Sequence, residues 1–225
     1  MTKLLVLADV KGLGEVVESD KYFYIALQEL KSGRARLITP REEAYARLNT
    51  KGSIGGSDGT WTTAGFEYAK EQSPILNLNS RLTDPSLAKL ATEANREGNY
   101  FSTESIREYE QSLKQAEKDK NKEPAKRNTI VLPSRNEFRI TDKENWEVLE
   151  TVLKDQAKPY FEFNGPIVVY PVPPETIDTQ EGTLLTQLWF GSLDDRSYFS
   201  GVSRNLDYGN WVRGVRDSAE GTVLI

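Results

Sequence analysis

Twenty-one residues, Gly191 to Trp211, lie between two apolar runs near the C-terminus and constrain the fold of this chain more than any other feature. Sixteen of them are Gly, Ser, Asp, Asn, Arg or Tyr, and the rest are Leu193, Phe199, Val202, Leu206 and Trp211. The flanking runs, Thr183 to Phe190 and Val212 to Arg216, read as strands. Loops longer than about 12 to 15 residues are uncommon in compact domains and tend to be functional. Tyr and Trp supply broad amphipathic contact area, Arg supplies planar hydrogen bonding, and Ser, Gly and Asn adapt to what they meet. Lys and Glu, the usual solubilising residues, are absent from the segment. It therefore reads as a binding surface, with a plain irregular loop as the alternative.

The rest of the chain mixes helix and strand signals without a strict βαβ alternation, which predicts an α+β fold with a mixed, largely antiparallel sheet and flanking helices. Lys3 to Val10 and Tyr22 to Leu27 predict strands, the second because Phe23, Ile25 and Leu27 alternate. Thr39-Pro40-Arg41-Glu42 is a capping box that opens a helix running to about Asn49. Lys51 to Thr60 is a loop, Phe66 to Glu71 predicts a short helix, and Asp84-Pro85 opens another helix closed by Gly98. A charged stretch, about 103–127, predicts a solvated helical insertion with a narrow stripe of Ile106, Tyr109, Leu113 and Ala116. Thr129 to Leu132 is a strand, Ser134 to Glu137 repeats the capping-box pattern, and Asp142 caps a helix that ends before Pro159. Tyr160 to Phe163 and Pro166 to Val172 predict a hairpin around Asn164-Gly165.

Composition removes much familiar chemistry. The 225 residues include neither Cys nor His, so there is no thiolate nucleophile, no histidine triad and no zinc or haem site of the usual kinds. The net charge is -5, which gives no basic footprint for nucleic acid. All of it lies in residues 159–225, where 4 basic residues, every one Arg, face 9 acidic ones. No run is long and apolar enough for a membrane span, and Met1 to Val10 does not resemble a signal peptide, so a cytoplasmic address is the default expectation. One domain over residues 1–225 is expected.

Two further patterns could carry chemistry. Gly12-Leu13-Gly14 after a strand has the start of a dinucleotide-binding turn, but Val17 replaces the third glycine, and an ordinary glycine turn is the better account. Asp194-Asp195, or Glu175 with Asp178, supply paired carboxylates that a hydrolase or a metal site would use, yet their spacing fits no EF-hand loop. No cofactor is implied.

Leu132-Pro133-Ser134-Arg135-Asn136-Glu137-Phe138 resembles a motif of the formylglycine-generating-enzyme type of C-type-lectin-like fold, where it turns a strand into a short helix. Trp211-Val212-Arg213-Gly214-Val215-Arg216 looks like the last core strand of that fold. Leu188-Trp189-Phe190 with the polar stretch after it is similar to the variable region of diversity-generating retroelement target proteins, archaeal members above all. The likeness covers about residues 129–216, with a variable region at about 187–216.

The resemblance implies a ligand-binding display protein without catalysis. In that family a reverse transcriptase copies a template RNA with errors at adenines, and the altered copy replaces the variable region. Asn codons ending in a pyrimidine cannot become Lys, Glu or Trp, which suits the missing Lys and Glu and makes Trp211 framework. The implied ligand-binding set is Ser192, Asp194, Asp195, Arg196, Ser197, Tyr198, Ser200, Ser203, Arg204, Asn205, Asp207, Tyr208 and Asn210. Trp189, Phe190, Leu206, Val212 and Val215 would hold the fold. The partner is an unspecified protein or other macromolecule, with no metal and no nucleic acid. The enzymes of this fold need active-site cysteines, and its calcium-dependent lectins need Glu-Pro-Asn or Gln-Pro-Asp loops; Glu123-Pro124-Ala125 is neither. A carboxylate-dependent hydrolase or metal enzyme, and a structural phage or virion component, are the alternative readings.

Overall fold

A computed structural model describes residues 4–103, 106–194, 197–202, 206–207 and 211–217. The chain opens with a hairpin of β1 (Leu5–Val10) and β2 (Gly14–Ser19), and Gly12-Leu13-Gly14 is its turn, with Gly12 at φ +83°. Helix α1 (Phe23–Ser32) follows where a strand was expected. Its buried Phe23, Ala26, Leu27 and Leu30 fall at i, i+3, i+4 and i+7, so the longer helical period overrides the local alternation.

After β3 (Arg36–Leu37), helix α2 (Pro40–Asn49) has the expected bounds. Thr39 Oγ1 accepts from the Glu42 N–H at 3.2 Å, and the Glu42 carboxylate accepts from the Thr39 N–H at 3.0 Å. The glycine-rich loop leads into β4 (Thr60–Tyr68), which takes the first half of the short helix expected from Phe66 to Glu71. Buried on both faces, β4 lacks the alternation by which strands are recognised.

Then come β5 (Ile75–Asn77), α3 (Pro85–Arg96), β6 (Phe101–Thr103), α4 (Ile106–Asp119) and β7 (Thr129–Val131). Asp84 caps α3 by accepting from the Ser86 and Leu87 N–H groups. Helix α4 has a solvated outer face and a narrow buried stripe. Tyr109 and Ala116 are buried against Ala69 and Ile75, while Ile106 is exposed.

The remaining elements are β8 (Phe138–Ile140), α5 (Trp146–Leu153), α6 (Ala157–Asn164), β9 (Ile167–Tyr170), α7 (Pro174–Ile177), β10 (Thr183–Phe190), β11 (Tyr198–Ser200) and β12 (Val212–Arg216). Three expectations fail here. Ser134 to Glu137 caps no helix but leads straight into β8, and Asn145 rather than Asp142 precedes α5. Tyr160 to Phe163 belongs to α6, with Pro159 in its first turn, where its lack of an N–H costs nothing. Asn164-Gly165 is therefore a helix end, with Gly165 at φ +82° and its N–H on the Phe161 carbonyl, not a hairpin turn.

The strands join one sheet in the spatial order β1-β2-β12-β4-β10-β11-β9-β8, with β3 on β12, β5 on β4, β6 on β10 and β7 on β5. Most pairs are antiparallel, but β4 meets β12, and β9 meets β11, in parallel. The two larger hydrophobic cores lie against it. One gathers Phe66, Tyr68, Leu149, Tyr160, Phe190 and Phe199. The other gathers Phe23, Leu30, Trp61, Ala91, Leu206 and Val212.

Candidate functional site

The segment from Gly191 to Trp211 leaves β10 and returns as β12, the strands on either side of β4. Among its described residues is a strand, β11, which pairs with both β10 and β9. Among its described residues, two buried apolar side chains peg it down. Phe199 is buried in the first core, and Leu206, 3% exposed, is buried in the second. Burial of a side chain of this size contributes about 1.5 to 3 kcal/mol.

Most of the remaining hold is on the main chain of the segment. The N–H groups of Leu193 and Asp194 donate to the carbonyls of Gly55 and Gly56 at 2.9 and 3.0 Å. Gly201 donates to the Tyr170 carbonyl at 2.9 Å, the Tyr100 hydroxyl donates to the Val202 carbonyl at 3.0 Å, and the Phe23 N–H donates to the Leu206 carbonyl at 3.0 Å. Glycines let the body come close. A Cβ on Gly201 would meet Phe66 at 2.6 Å and the hydroxyl of buried Tyr68 closer still.

Both ends of the segment converge on α2. Arg47 is fully buried, and its guanidinium donates to the carbonyls of Gly191 (2.7 Å) and Phe190 (3.3 Å), the Ser197 hydroxyl (3.1 Å) and the Tyr160 hydroxyl (3.1 Å). It also lies 4.3 Å from the centre of the Phe190 ring. One turn earlier, Glu43 accepts from Arg47 at 2.8 Å and from Arg213 of β12 at 2.6 Å. Arg213 reaches Glu18 at 3.2 Å and the Asp58 carbonyl at 3.2 Å. Burial pushes the Glu43 carboxyl up, but Arg213 and Arg47 outweigh it and hold the group below the ordinary carboxylate range. Burial pushes the Tyr160 hydroxyl up, against the opposing pull of Arg47.

The residues picked from sequence divide by position. Asp194 is exposed, and Tyr198 and Asp207 are half-buried. Ser192, Ser197 and Ser200 are buried, and Ser197 exchanges a 2.8 Å hydrogen bond with Tyr160, so these hydroxyls face the body. Asp195, Arg196, Ser203, Arg204, Asn205, Tyr208 and Asn210 lie outside the described residues. Phe190, Leu206, Val212 and Val215 are buried, and half-buried Trp189 packs edge-on against Trp61 at 5.1 Å. Sequence reasoning did not find Glu43, Arg47, Tyr160 or Arg213. The spacing of Glu43 and Arg47 is a helix-pair signal, but it carries no information about burial.

No family model matches the sequence. No curated protein matches it. The chain is similar to a solved structure described as "Accommodation of massive sequence variation in Nanoarchaeota by the C-type lectin fold", at 15% identity and a TM-score of 0.55, over 87% of this chain and 93% of that one. The fold is that of the C-type lectins. In this C-type-lectin-like chain a helix, α2, clamps the segment between β10 and β12 from below. Its opposite end borders a cleft of about 580 Å³ beside Arg36, Arg41 and Lys154. Among the described residues no three His, Cys, Asp or Glu side chains gather as metal ligands, and no helix is long and apolar enough to cross a membrane. The Glu175 and Asp178 side chains are exposed.

Proposed function

We propose that this chain is a non-enzymatic display protein in one domain, whose surface at about 192–210 binds a protein or other macromolecular ligand and varies through retroelement-directed adenine mutagenesis. The observation that carries the reading is the way the segment is held. Its anchors are main-chain groups, two buried apolar pegs and the buried Ser197 hydroxyl, so outward side chains can change without loss of the anchor. Surface substitutions of this kind shift stability by about 0.5 kcal/mol or less.

The solved neighbour's description, massive sequence variation accommodated by the same fold, supports the reading. Outward Asp194, Tyr198 and Asp207 are the described members of the binding set, with the picked residues outside the described part as its remainder. Ser192, Ser197 and Ser200 belong to the support.

Amplicon sequencing of the codons for residues 185–216 in the source population, with the flanking DNA, tests the proposal. The expected result is substitution at adenine-derived positions, a near-identical template repeat and a reverse transcriptase gene nearby. An invariant segment with neither neighbour overturns it.

A further inference from the structure

The segment between β10 and β12 is too small to hold a folded protein alone. A stable protein–protein interface takes roughly 20 to 30 residues from each side. With Ser192, Ser197 and Ser200 buried, at most ten of the positions picked from sequence remain for contact. The rest of such an interface must come from side chains that border the segment.

One border is apolar and aromatic. Phe163, on α6, is 45% exposed. Gly52 lies between it and the segment at φ +83°, where a Cβ would stand 3.0 Å from Leu193 Cδ1 and 3.7 Å from Phe163 Cζ, so the two side chains close over the bare glycine. The Leu193 N–H is fixed on the Gly55 carbonyl. Two residues earlier, Gly191 lies under the Tyr198 ring, which a Cβ would run into. The other side of Tyr198 meets Tyr170 of β9 edge to face, with ring centres 5.7 Å apart. Phe163, Leu193, Tyr198 and Tyr170 thus form a ridge along the first half of the segment. Leu193, Tyr198 and Tyr170 are half-buried, so they are held yet reachable. Among the described residues neither the Tyr170 nor the Tyr198 hydroxyl has a hydrogen-bond partner. The rim is acidic. Asp194 and Glu162 are exposed beside Leu193 and Phe163 and meet no cation among the described residues, and Lys51, next to Gly52, offsets one of them.

We infer that Phe163 and Tyr170, which lie outside the varied segment, are fixed contacts for its ligand, a folded protein that sets an apolar side chain next to Lys or Arg on this ridge. The inference rests on the display reading. Within it, the varied residues select the ligand and the ridge supplies a constant part of the hold. Aromatic side chains in packed surroundings carry much of the energy of protein interfaces, and those already held lose little freedom on binding. The unpaired carboxylates at the rim favour a cationic neighbour and steer its approach.

Lysozyme, a small basic protein, serves as the probe. A surface-display library of the full chain, randomised at residues 194, 203–205, 207, 208 and 210, is selected for lysozyme binding. In independent clones Phe163→Ser should raise the lysozyme Kd by at least about tenfold. Ile106→Ser, at a comparably exposed apolar side chain of α4, should leave it unchanged. Glu162→Lys alters an exposed charge without touching the core, and it should slow association and weaken its salt dependence. If Phe163→Ser fails to fold, Glu162→Lys decides the matter. Clones whose binding is indifferent to both Phe163→Ser and Glu162→Lys overturn the inference and leave the display reading intact. A library that yields no binder overturns the display reading itself, and the fixed contacts with it.

Discussion

The Arg47 guanidinium donates to the Gly191 carbonyl across 2.7 Å, which ties the second helix to the first residue of the long loop. The contact reads no side chain of the loop. With Glu43 one turn away holding Arg213, a single helix face fixes both the departure from β10 and the return into β12.

Removing this tie should be costly. Arg47→Met leaves the carbonyls of Phe190 and Gly191 without their donor and removes one of two cations from a fully buried carboxylate. Breaking a buried pair from one side costs about 3 to 5 kcal/mol. Urea unfolding of Arg47→Met against wild type measures it, and a loss below about 1 kcal/mol, typical of an exposed pair, would contradict the burial of the clamp.

Outward and inward residues of the segment should separate cleanly. Joint replacement of Asp194 and Asp207 by Ser should leave the thermal midpoint nearly unchanged, while Phe190→Ala should cost about 3 to 5 kcal/mol. Calorimetry of the two variants compares them directly. Equal losses would count against the division between support and surface.

Close packing at Gly201 gives a sharper test, because the added atom is a single methyl. Gly201→Ala should cost about 1 to 3 kcal/mol through crowding of Phe66 and Tyr68. If Gly201→Ala in Tyr68→Phe, which removes the nearest atom, regains part of the loss in a double-mutant cycle, the clash is located.

Stability should fall in acid. Burial raises the carboxyls of Glu43 and Glu42, but the arginines beside them prevail, so both have folded pKa values below their unfolded ones. Their contribution is complete above the unfolded pKa, about 4.3, and is lost as the pH falls through the folded values. Glu18, raised by burial against the pull of Arg213, works in the opposite sense and gains as the pH falls. Unfolding midpoints from pH 7 to pH 2.5 should decline, and Glu43→Gln should flatten that decline. A profile unchanged by Glu43→Gln would show that the clamp is not charged in the fold.

The Thr39 cap should transmit to the clamp through α2. Thr39→Ala removes the acceptor for the Glu42 N–H and should cost about 1 kcal/mol. Hydrogen exchange should show faster opening of the first turn of α2, and an unaltered rate there would argue that tertiary packing alone holds the helix.

Local chemistry determined what could be read directly. Thr39 with Glu42 and Asp84 with Pro85 mark helix starts because their hydrogen bonds close within four residues. Thr183 to Phe190 and Val212 to Arg216 announce strands by composition, and the Gly-, Ser- and Tyr-rich stretch between them announces a surface. Misreadings arose where the deciding partner is distant in sequence. Phe23, Ile25 and Leu27 alternate like a strand, but packing against Trp61 and Ala91 fixes a helix instead. Gly165 can end a helix or turn a hairpin, and only the fold around Tyr160 chooses.

Burial of these polar groups follows from no local sequence rule. Glu43 and Arg47 look like a solvated helix pair, and Ser197 looks like a loop hydroxyl. They become a clamp because Arg213, Tyr160 and the Gly191 carbonyl arrive from far along the chain. A charge out of water is tolerable only with those partners in place, and the tertiary structure alone brings them together.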